Sequence, residues 1–116
     1  MTAVQRPVDM AHLARYTGGD SAINAEVLQL FDTQVNDLVA RLNSILEARD
    51  AKSWKEVTHS LKGAARGIGA FGFADAAAAA EPIDLFADHD GAGRALAALK
   101  INAHAVQIFI QAYLGR

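Results

Sequence analysis

A histidine, a lysine and a glycine lie close together in the sequence at His59, Lys62 and Gly63. Much of an imidazole is uncharged near neutral pH, and in that form it is a competent nucleophile. In a helix, Lys62 would lie at i+3, where its ammonium can reach a group attached to the imidazole. A phosphoryl group brings close to two negative charges, and nearby cations stabilise it. The spacing therefore makes His59 a candidate nucleophile that could carry an anionic group.

The segment around His59 has the apolar periodicity of an amphipathic helix. At ~100° per residue, its larger apolar side chains and two alanines lie within about 60° of the pole opposite His59. These residues are Trp54, Val57, Leu61, Ala64, Ala65 and Ile68. The residues within about 60° of His59 itself are Lys52, Lys55, Lys62, Gly63 and Arg66. We therefore expect the imidazole to face solvent in a basic strip in which Lys62 is exposed.

Gly63 lies one turn beyond His59 on the same predicted face. Glycine inside a helix costs about 1 kcal/mol relative to alanine. Because Gly63 faces away from the core, its expected benefit is steric, since a partner can approach the imidazole closely there. A surface histidine and a basic strip are also common on ordinary solvated helices, so a plain solvent face remains the alternative at this point.

The rest of the chain is also predicted to be helical, because apolar residues recur at steps of three or four and strand-like alternation is not sustained. We expect a short helix from Asp9 to Tyr16, a long one from Asp20 or Ser21 to about Ala48, a third from Asp50 to about Ala70, a fourth from Phe73 to Ile83 or Asp84, and a last one capped by Asp90. Pro82 should kink or divide the fourth helix, because proline lacks a backbone donor. Short connections favour an all-α fold, an antiparallel up-and-down four-helix bundle with a short additional N-terminal helix.

Length and composition limit the classes of protein that fit. The 116 residues are 52% hydrophobic, carry a net charge of -2 and include no cysteine. Without a linker or repeat, residues 1–116 are predicted to form one domain with one core. The charge balance disfavours nucleic-acid binding, and the lack of cysteine excludes disulfides and thiolate metal sites. Neither a signal peptide nor an apolar stretch near ~20 residues is visible, which favours a cytoplasmic protein that does not enter a membrane.

The remaining histidines are interpreted as structural or surface residues. His12, His89 and His104 do not pair at metal-ligand spacing, so we predict neither a metal nor another cofactor.

Glu81 is a candidate partner of His59. If the third and fourth helices form a hairpin that turns near Ala70, His59 and Glu81 are equally distant from the turn and should lie at the same height. A carboxylate that accepts a hydrogen bond from Nδ1–H would fix the tautomer and leave Nε2 free to attack. The alternative is an ordinary carboxylate on a helix surface.

The run from His59 to Gly63, followed by Gly69-Ala70, resembles the signature of histidine phosphotransfer (HPt) domains. That signature is His-x-Leu-Lys-Gly with Gly-Ala about two turns later. The stretch Gly18-Gly19-Asp20 before a long helix, and Glu81 at the close of an alanine-rich helix, are also similar to the family. The resemblance extends from about Leu13 to Leu114.

The resemblance implies a helical bundle that accepts a phosphoryl group from a receiver-domain aspartate and donates it to another receiver. On this basis His59 would be the phospho-acceptor through Nε2, Lys62 would stabilise the phosphoryl group and Gly63 would leave room for the receiver. The expected partners are receiver domains of response regulators and of a hybrid sensor histidine kinase, docking on a modest apolar patch with a basic rim. The partner-binding residues predicted around His59 are Lys52, Lys55, Glu56, Gly63, Arg66 and Gly67. Pro82 has no counterpart in the family pattern.

A phosphocarrier needs no nucleotide site of its own, and the chain shows no Gly-rich nucleotide loop, which argues against an autokinase. Whether such a carrier counts as an enzyme stays open. One alternative is a kinase dimerisation-type domain that a separate ATPase domain phosphorylates in trans. Such domains are usually two-helix hairpins that dimerise, whereas four or five helices can close a core alone, so we expect a monomer. Another alternative is a helical adaptor that binds partners without chemistry.

Overall fold

The computed structural model describes residues 6–116, which form five α-helices and no strand. The helices are α1 Met10–Thr17, α2 Ser21–Ala48, α3 Ala51–Ile68, α4 Phe71–Ala80 and α5 His89–Tyr113. The predicted all-helical class is confirmed. None of these helices is long and apolar enough to cross a membrane. The predicted domain and the stretch inspected for a signal peptide both include residues 1–5, which lie outside the described part.

Aspartates cap the first three helices. The carboxylates of Asp9, Asp20 and Asp50 accept backbone N–H groups at the starts of α1, α2 and α3. These groups have no partner within the helix, so each cap satisfies a donor that would otherwise be unpaired. The start points predicted for these helices agree with the structure to within one residue.

The cap of α5 differs from the sequence prediction. Asp88, not Asp90, is the N-cap, and its side chain accepts the N–H of Gly91 over 2.9 Å. Asp90 already lies in the first helical turn. The helix begins earlier than predicted because Asp88 is the residue that reaches the free donors of that turn.

The fourth helix is shorter than predicted at its C-terminal end. It ends at Ala80, and Glu81 is its C-cap, with the Glu81 N–H donating to the carbonyl of Ala77. The next residue, Pro82, has no N–H with which to continue the ladder. Pro82 therefore ends the helix instead of kinking it, and the continuation to Ile83 or Asp84 is wrong.

The third helix also ends slightly earlier than expected. Gly69 follows Ile68 with φ 84°, a left-handed conformation that glycine adopts without steric cost and that closes the helix. The short connection Gly69–Ala70 then leads directly into α4. This turn brings α4 back against α3.

Helices α2 to α5 pack in a ring. Each of α2 and α4 contacts both α3 and α5, while α1 contacts α2 and α3. Their buried faces form one apolar core. On α4 the side chains of Ala74, Ala77 and Ala80 are at most 1% exposed, and their small size lets the neighbouring helices approach closely. The ring holds α3 and α4 side by side, which is the arrangement the site requires.

Candidate functional site

Helix α3 turns its apolar face into the core and His59 toward solvent. Most of the predicted core residues of α3 are at most 6% exposed, namely Trp54, Val57, Leu61, Ala65 and Ile68. Ala64 is only half-buried. On the other side of the helix, the His59 side chain is 68% exposed. The amphipathic pattern alone therefore determines that the imidazole is accessible.

Two buried polar groups fix the turn of α3 that carries His59. The indole Nε1 of Trp54 donates a hydrogen bond of 2.9 Å to the carbonyl of Ala80, the last residue of α4. The hydroxyl of Thr58, which is fully buried, donates to the carbonyl of Trp54 over 2.8 Å. The first bond ties the end of α4 to α3, so that Glu81 emerges beside the histidine.

The apolar pattern of α3 predicts Trp54 only as a core residue and does not distinguish Thr58. A threonine inside a helix often bonds back to the carbonyl four residues earlier, and this tendency is the signal that could have identified Thr58. The partner of the tryptophan could not be identified in the same way, because it depends on how α4 packs on α3.

The carboxylate of Glu81 contacts both His59 and Lys62. Its Oε1 lies 3.2 Å from Nδ1 of His59, and its Oε2 lies 2.8 Å from Nζ of Lys62. The Glu81 side chain is 17% exposed and that of Lys62 21% exposed. The expectation that Lys62 is exposed is therefore wrong. Its position at the edge of the basic strip lets the ammonium fold onto Glu81.

The Lys62 ammonium lowers the pKa of Glu81, chiefly through its hydrogen bond to the carboxylate. Partial burial acts in the opposite direction, and the contact with His59 lowers the pKa further. Glu81 is consequently ionised near neutral pH, and an ionised carboxylate only accepts hydrogen bonds. The proton of the neutral imidazole is thus favoured on Nδ1, which leaves the Nε2 lone pair directed away from the carboxylate.

An open groove of about 440 Å³ adjoins the histidine. It is lined by Lys52, Lys55, Glu56, His59 and Glu81. Three of the predicted partner-binding residues are thus in this groove. The structure places the other three, Gly63, Arg66 and Gly67, on the exposed face of α3 beyond His59.

Both glycines on this face border open space. A Cβ added to Gly63 or Gly67 would meet no atom within 4 Å. Neither glycine is therefore required by packing inside the protein. At Gly63 the missing side chain leaves the approach to His59 open.

The remaining histidines lie away from this site. His89 donates from Nε2 to the carbonyl of Leu46 over 3.2 Å, and His12 packs edge-to-face on Tyr16 and Phe71. His104 is exposed on α5. Across residues 6–116 no group of three or more metal-ligating side chains comes together.

The Hpt domain family model matches residues 26–109, a span that contains most of the chain. The chain therefore belongs to the Hpt domain family. Such domains perform histidine phosphotransfer in two-component signalling, where they interact with receiver domains. Both His59 and Glu81 fall inside the matched span. No curated protein matches the chain.

Proposed function

We propose that the protein is a phosphorelay intermediate in which His59 accepts a phosphoryl group from the phosphorylated aspartate of one receiver domain and passes it to the aspartate of another. The observation that carries the proposal is the contact between Glu81 and Nδ1 of His59, which leaves Nε2 available on the exposed face of α3. The expected donors and acceptors are receiver domains of a hybrid sensor histidine kinase and of response regulators.

Transfer begins with attack of the Nε2 lone pair on the phosphorus of the aspartyl phosphate. The N–P bond forms as the P–O bond breaks, and the aspartate leaves as a carboxylate that keeps the bonding electron pair. Positive charge develops on the imidazole during this step. Glu81 stabilises that charge, because it is ionised and already accepts a hydrogen bond from Nδ1. Attack by the second receiver's aspartate on the same phosphorus reverses these changes and restores the neutral imidazole.

Lys62 has two roles in this proposal. Its ammonium holds Glu81 in the ionised state, and its remaining N–H groups can donate to phosphoryl oxygens at Nε2. Lys52 and Lys55, which line the adjoining groove, add positive charge at the approach. Charges of this kind attract the acidic phosphorylation pocket of a receiver and orient it during encounter.

We also propose that α2 to α5 form an antiparallel up-and-down bundle within a single monomeric domain over residues 1–116. The ring of helix contacts, the single core and the short connections at Arg49–Asp50 and Gly69–Ala70 support this arrangement. A bundle that closes its own core needs no second copy. We also propose that the protein is located in the cytoplasm, where it would meet its receiver domains.

The proposal is tested by phosphate uptake from a receiver domain. The protein is incubated with radiolabelled, phosphorylated receiver domains from the source organism and should gain an acid-labile, base-stable phosphate. His59→Gln should abolish uptake, whereas His104→Gln, which changes another exposed histidine, should not. Uptake by His59→Gln, or no uptake by the native protein from any receiver, would contradict the proposal.

Two further outcomes of this experiment identify the alternatives. Uptake only from ATP and a separate kinase ATPase domain would indicate a dimerisation-type domain, and a native-mass measurement would then show a dimer. Receiver binding without any phosphate uptake would indicate an adaptor.

A further inference from the structure

Phe86 is a large aromatic side chain that is 71% exposed, in the segment 81–88 between α4 and α5. Removing a phenylalanine side chain from water is favourable because its apolar surface is large. Single exposed apolar residues are common on protein surfaces and alone indicate nothing. Phe86 differs in the way its backbone is held and in where the segment runs.

Asp84 holds the backbone at Phe86. Its carboxylate accepts the N–H of Phe86 over 2.8 Å and the N–H of Ala87 over 3.0 Å, and its own carbonyl accepts the N–H of Asp88 over 2.9 Å. The preceding residue, Leu85, is fully buried in the core. The aromatic side chain is therefore carried into solvent by an ordered turn. An anchor that is already in position loses little conformational entropy when a partner binds it.

The two ends of the segment are located by contacts with other helices. It starts at Glu81, which contacts His59, and it leads into His89, whose ring contacts the carbonyl of Leu46 in the last turn of α2. Helix α3 begins five residues after Leu46. The segment thus starts beside His59 and ends beside the last turn of α2, close in the chain to the start of α3.

The chain limits how far Phe86 can lie from Glu81. Phe86 follows Glu81 by five positions, so their Cα atoms are at most about 18 Å apart. Hydrogen-bonded turns at Ile83 and Asp88 shorten this distance. A standard interface covers about 800 Å² on each partner, equivalent to a disc of about 16 Å radius. An interface of that size that includes His59 and Glu81 extends toward the segment 81–88.

We propose that Phe86 is an apolar anchor for the receiver domain that exchanges phosphoryl groups with His59, which makes it a determinant of receiver affinity. This inference rests on the proposed function. The partner it fits is a receiver that presents an apolar depression beside its acidic phosphorylation pocket. The depression receives Phe86, and the acidic pocket meets Lys52 and Lys55. Aromatic residues, Phe among them, are enriched in the buried cores of protein interfaces.

The test compares Phe86→Ala with Ile101→Ala. Ile101 is 72% exposed, which matches Phe86, and it lies on α5 next to Asn102. The Asn102 side chain approaches Gly72 at the start of α4, the end of that helix remote from Glu81. Transfer rates are measured against receiver concentration, with the phosphorylated receiver that transfers fastest to the wild-type protein.

Phe86→Ala should raise KM, and the Kd of the unphosphorylated receiver, about tenfold or more. It should leave kcat and the melting temperature close to wild type, because Phe86 neither packs in the core nor touches the reacting atoms. Phe86→Leu keeps an apolar side chain, so its KM and Kd should lie between those of the wild-type protein and those of Phe86→Ala. Ile101→Ala should match wild type in all of these measurements.

Two results would overturn this assignment. The first is an unchanged KM in Phe86→Ala, whether or not kcat falls, and the second is an equal rise in KM in Ile101→Ala. In both cases the wild-type protein still exchanges phosphate, so the proposed function stands. Failure of the wild-type protein to accept phosphate from any receiver would instead reject the proposed function and the anchor together.

Discussion

The indole Nε1 of Trp54 donates a hydrogen bond of 2.9 Å to the carbonyl oxygen of Ala80. Trp54 precedes His59 on α3, and Ala80 immediately precedes Glu81 at the end of α4. The bond is buried, so it is protected from competition with water. It joins the two helices beneath the surface contact between Glu81 and His59. The exposed histidine is thus positioned from within the core.

Replacing Trp54 with phenylalanine should weaken this support. The change removes the N–H donor and some volume, and we expect the free energy of unfolding to fall by about 1–3 kcal/mol in urea titrations. Because the end of α4 is then less firmly held, the Nδ1–H tautomer of His59 should also become less populated in ¹⁵N NMR spectra.

Val106→Ala is the matched control, because Val106 is buried in α5 and lines a pocket with Gly72 and Phe73, at the end of α4 remote from Glu81. It should lower stability by a comparable amount without changing the His59 tautomer. If Trp54→Phe also leaves the tautomer unchanged, the indole supports the fold but does not position Glu81.

Substitutions of Glu81 should separate hydrogen bonding from charge. Glu81→Gln keeps an acceptor for Nδ1–H but removes the negative charge, whereas Glu81→Ala removes both. We expect the Nδ1–H tautomer to persist in the glutamine variant and to decline in the alanine variant, as measured by ¹⁵N NMR. Phosphotransfer should be slowed in both and more strongly in Glu81→Ala. Equal tautomer populations in all three proteins would show that the contact does not orient the imidazole.

The ion pair between Lys62 and Glu81 predicts a dependence of stability on pH. A carboxyl with a lowered pKa in the folded state stabilises the fold above its ordinary pKa of 4.5, and this contribution is lost as the pH falls through the folded-state value. Carboxyl NMR titration should therefore give Glu81 a pKa below 4.5. Lys62→Met should raise it, because the largest cause of the shift is removed.

The stability difference between wild type and Lys62→Met should accordingly be greatest near neutral pH and vanish in acid. Lys55→Met, which removes an exposed ammonium from the same helix, should leave the pKa of Glu81 nearly unchanged. A Glu81 pKa at or above the ordinary value in the wild-type protein would contradict the assigned ion pair.

Two features of the site can be predicted from the sequence: which side of α3 faces the core, and that Glu81 lies level with His59 along the α3–α4 hairpin. The apolar period of a regular helix fixes which side is buried, so the exposure of His59 could be predicted. Counting equally in both directions from Ala70 placed His59 and Glu81 at one level, and the structure brings them within hydrogen-bonding distance. Counting works here because α3 and α4 are regular and their connection is short.

Other features depend on packing and local competition that the sequence does not show. Asp88 and Asp90 could each cap α5, because both are aspartates near its start. The position at which the chain enters the helix makes Asp88 the cap, and the sequence does not show that position. The partner of the Trp54 indole is a backbone carbonyl, which any residue could supply. Lys62 is partly buried because its flexible side chain folds onto Glu81. Helix periodicity predicts the direction of the Cα–Cβ bond but not the course of a long side chain beyond it.

Gly63 offers a test of access to the histidine. Gly63→Leu should fold, because its Cβ meets open space, and replacing a helical glycine should stabilise the helix by up to about 1 kcal/mol. Receiver binding and transfer should nevertheless fall about tenfold or more, because the added side chain blocks the docked domain. Ala105→Leu, on the exposed side of α5, is the control and should leave transfer unchanged. A melting temperature that falls in parallel with transfer in Gly63→Leu would contradict the steric explanation.

The most direct test of the account is to locate the phosphoryl group on the phosphorylated protein by ³¹P and ¹⁵N NMR. After transfer from a receiver domain, phosphorus should couple to Nε2 of His59 while Nδ1 keeps its proton, because Glu81 accepts that proton's hydrogen bond. Coupling to Nδ1 of His59, or to any nitrogen of His12, His89 or His104, would contradict it.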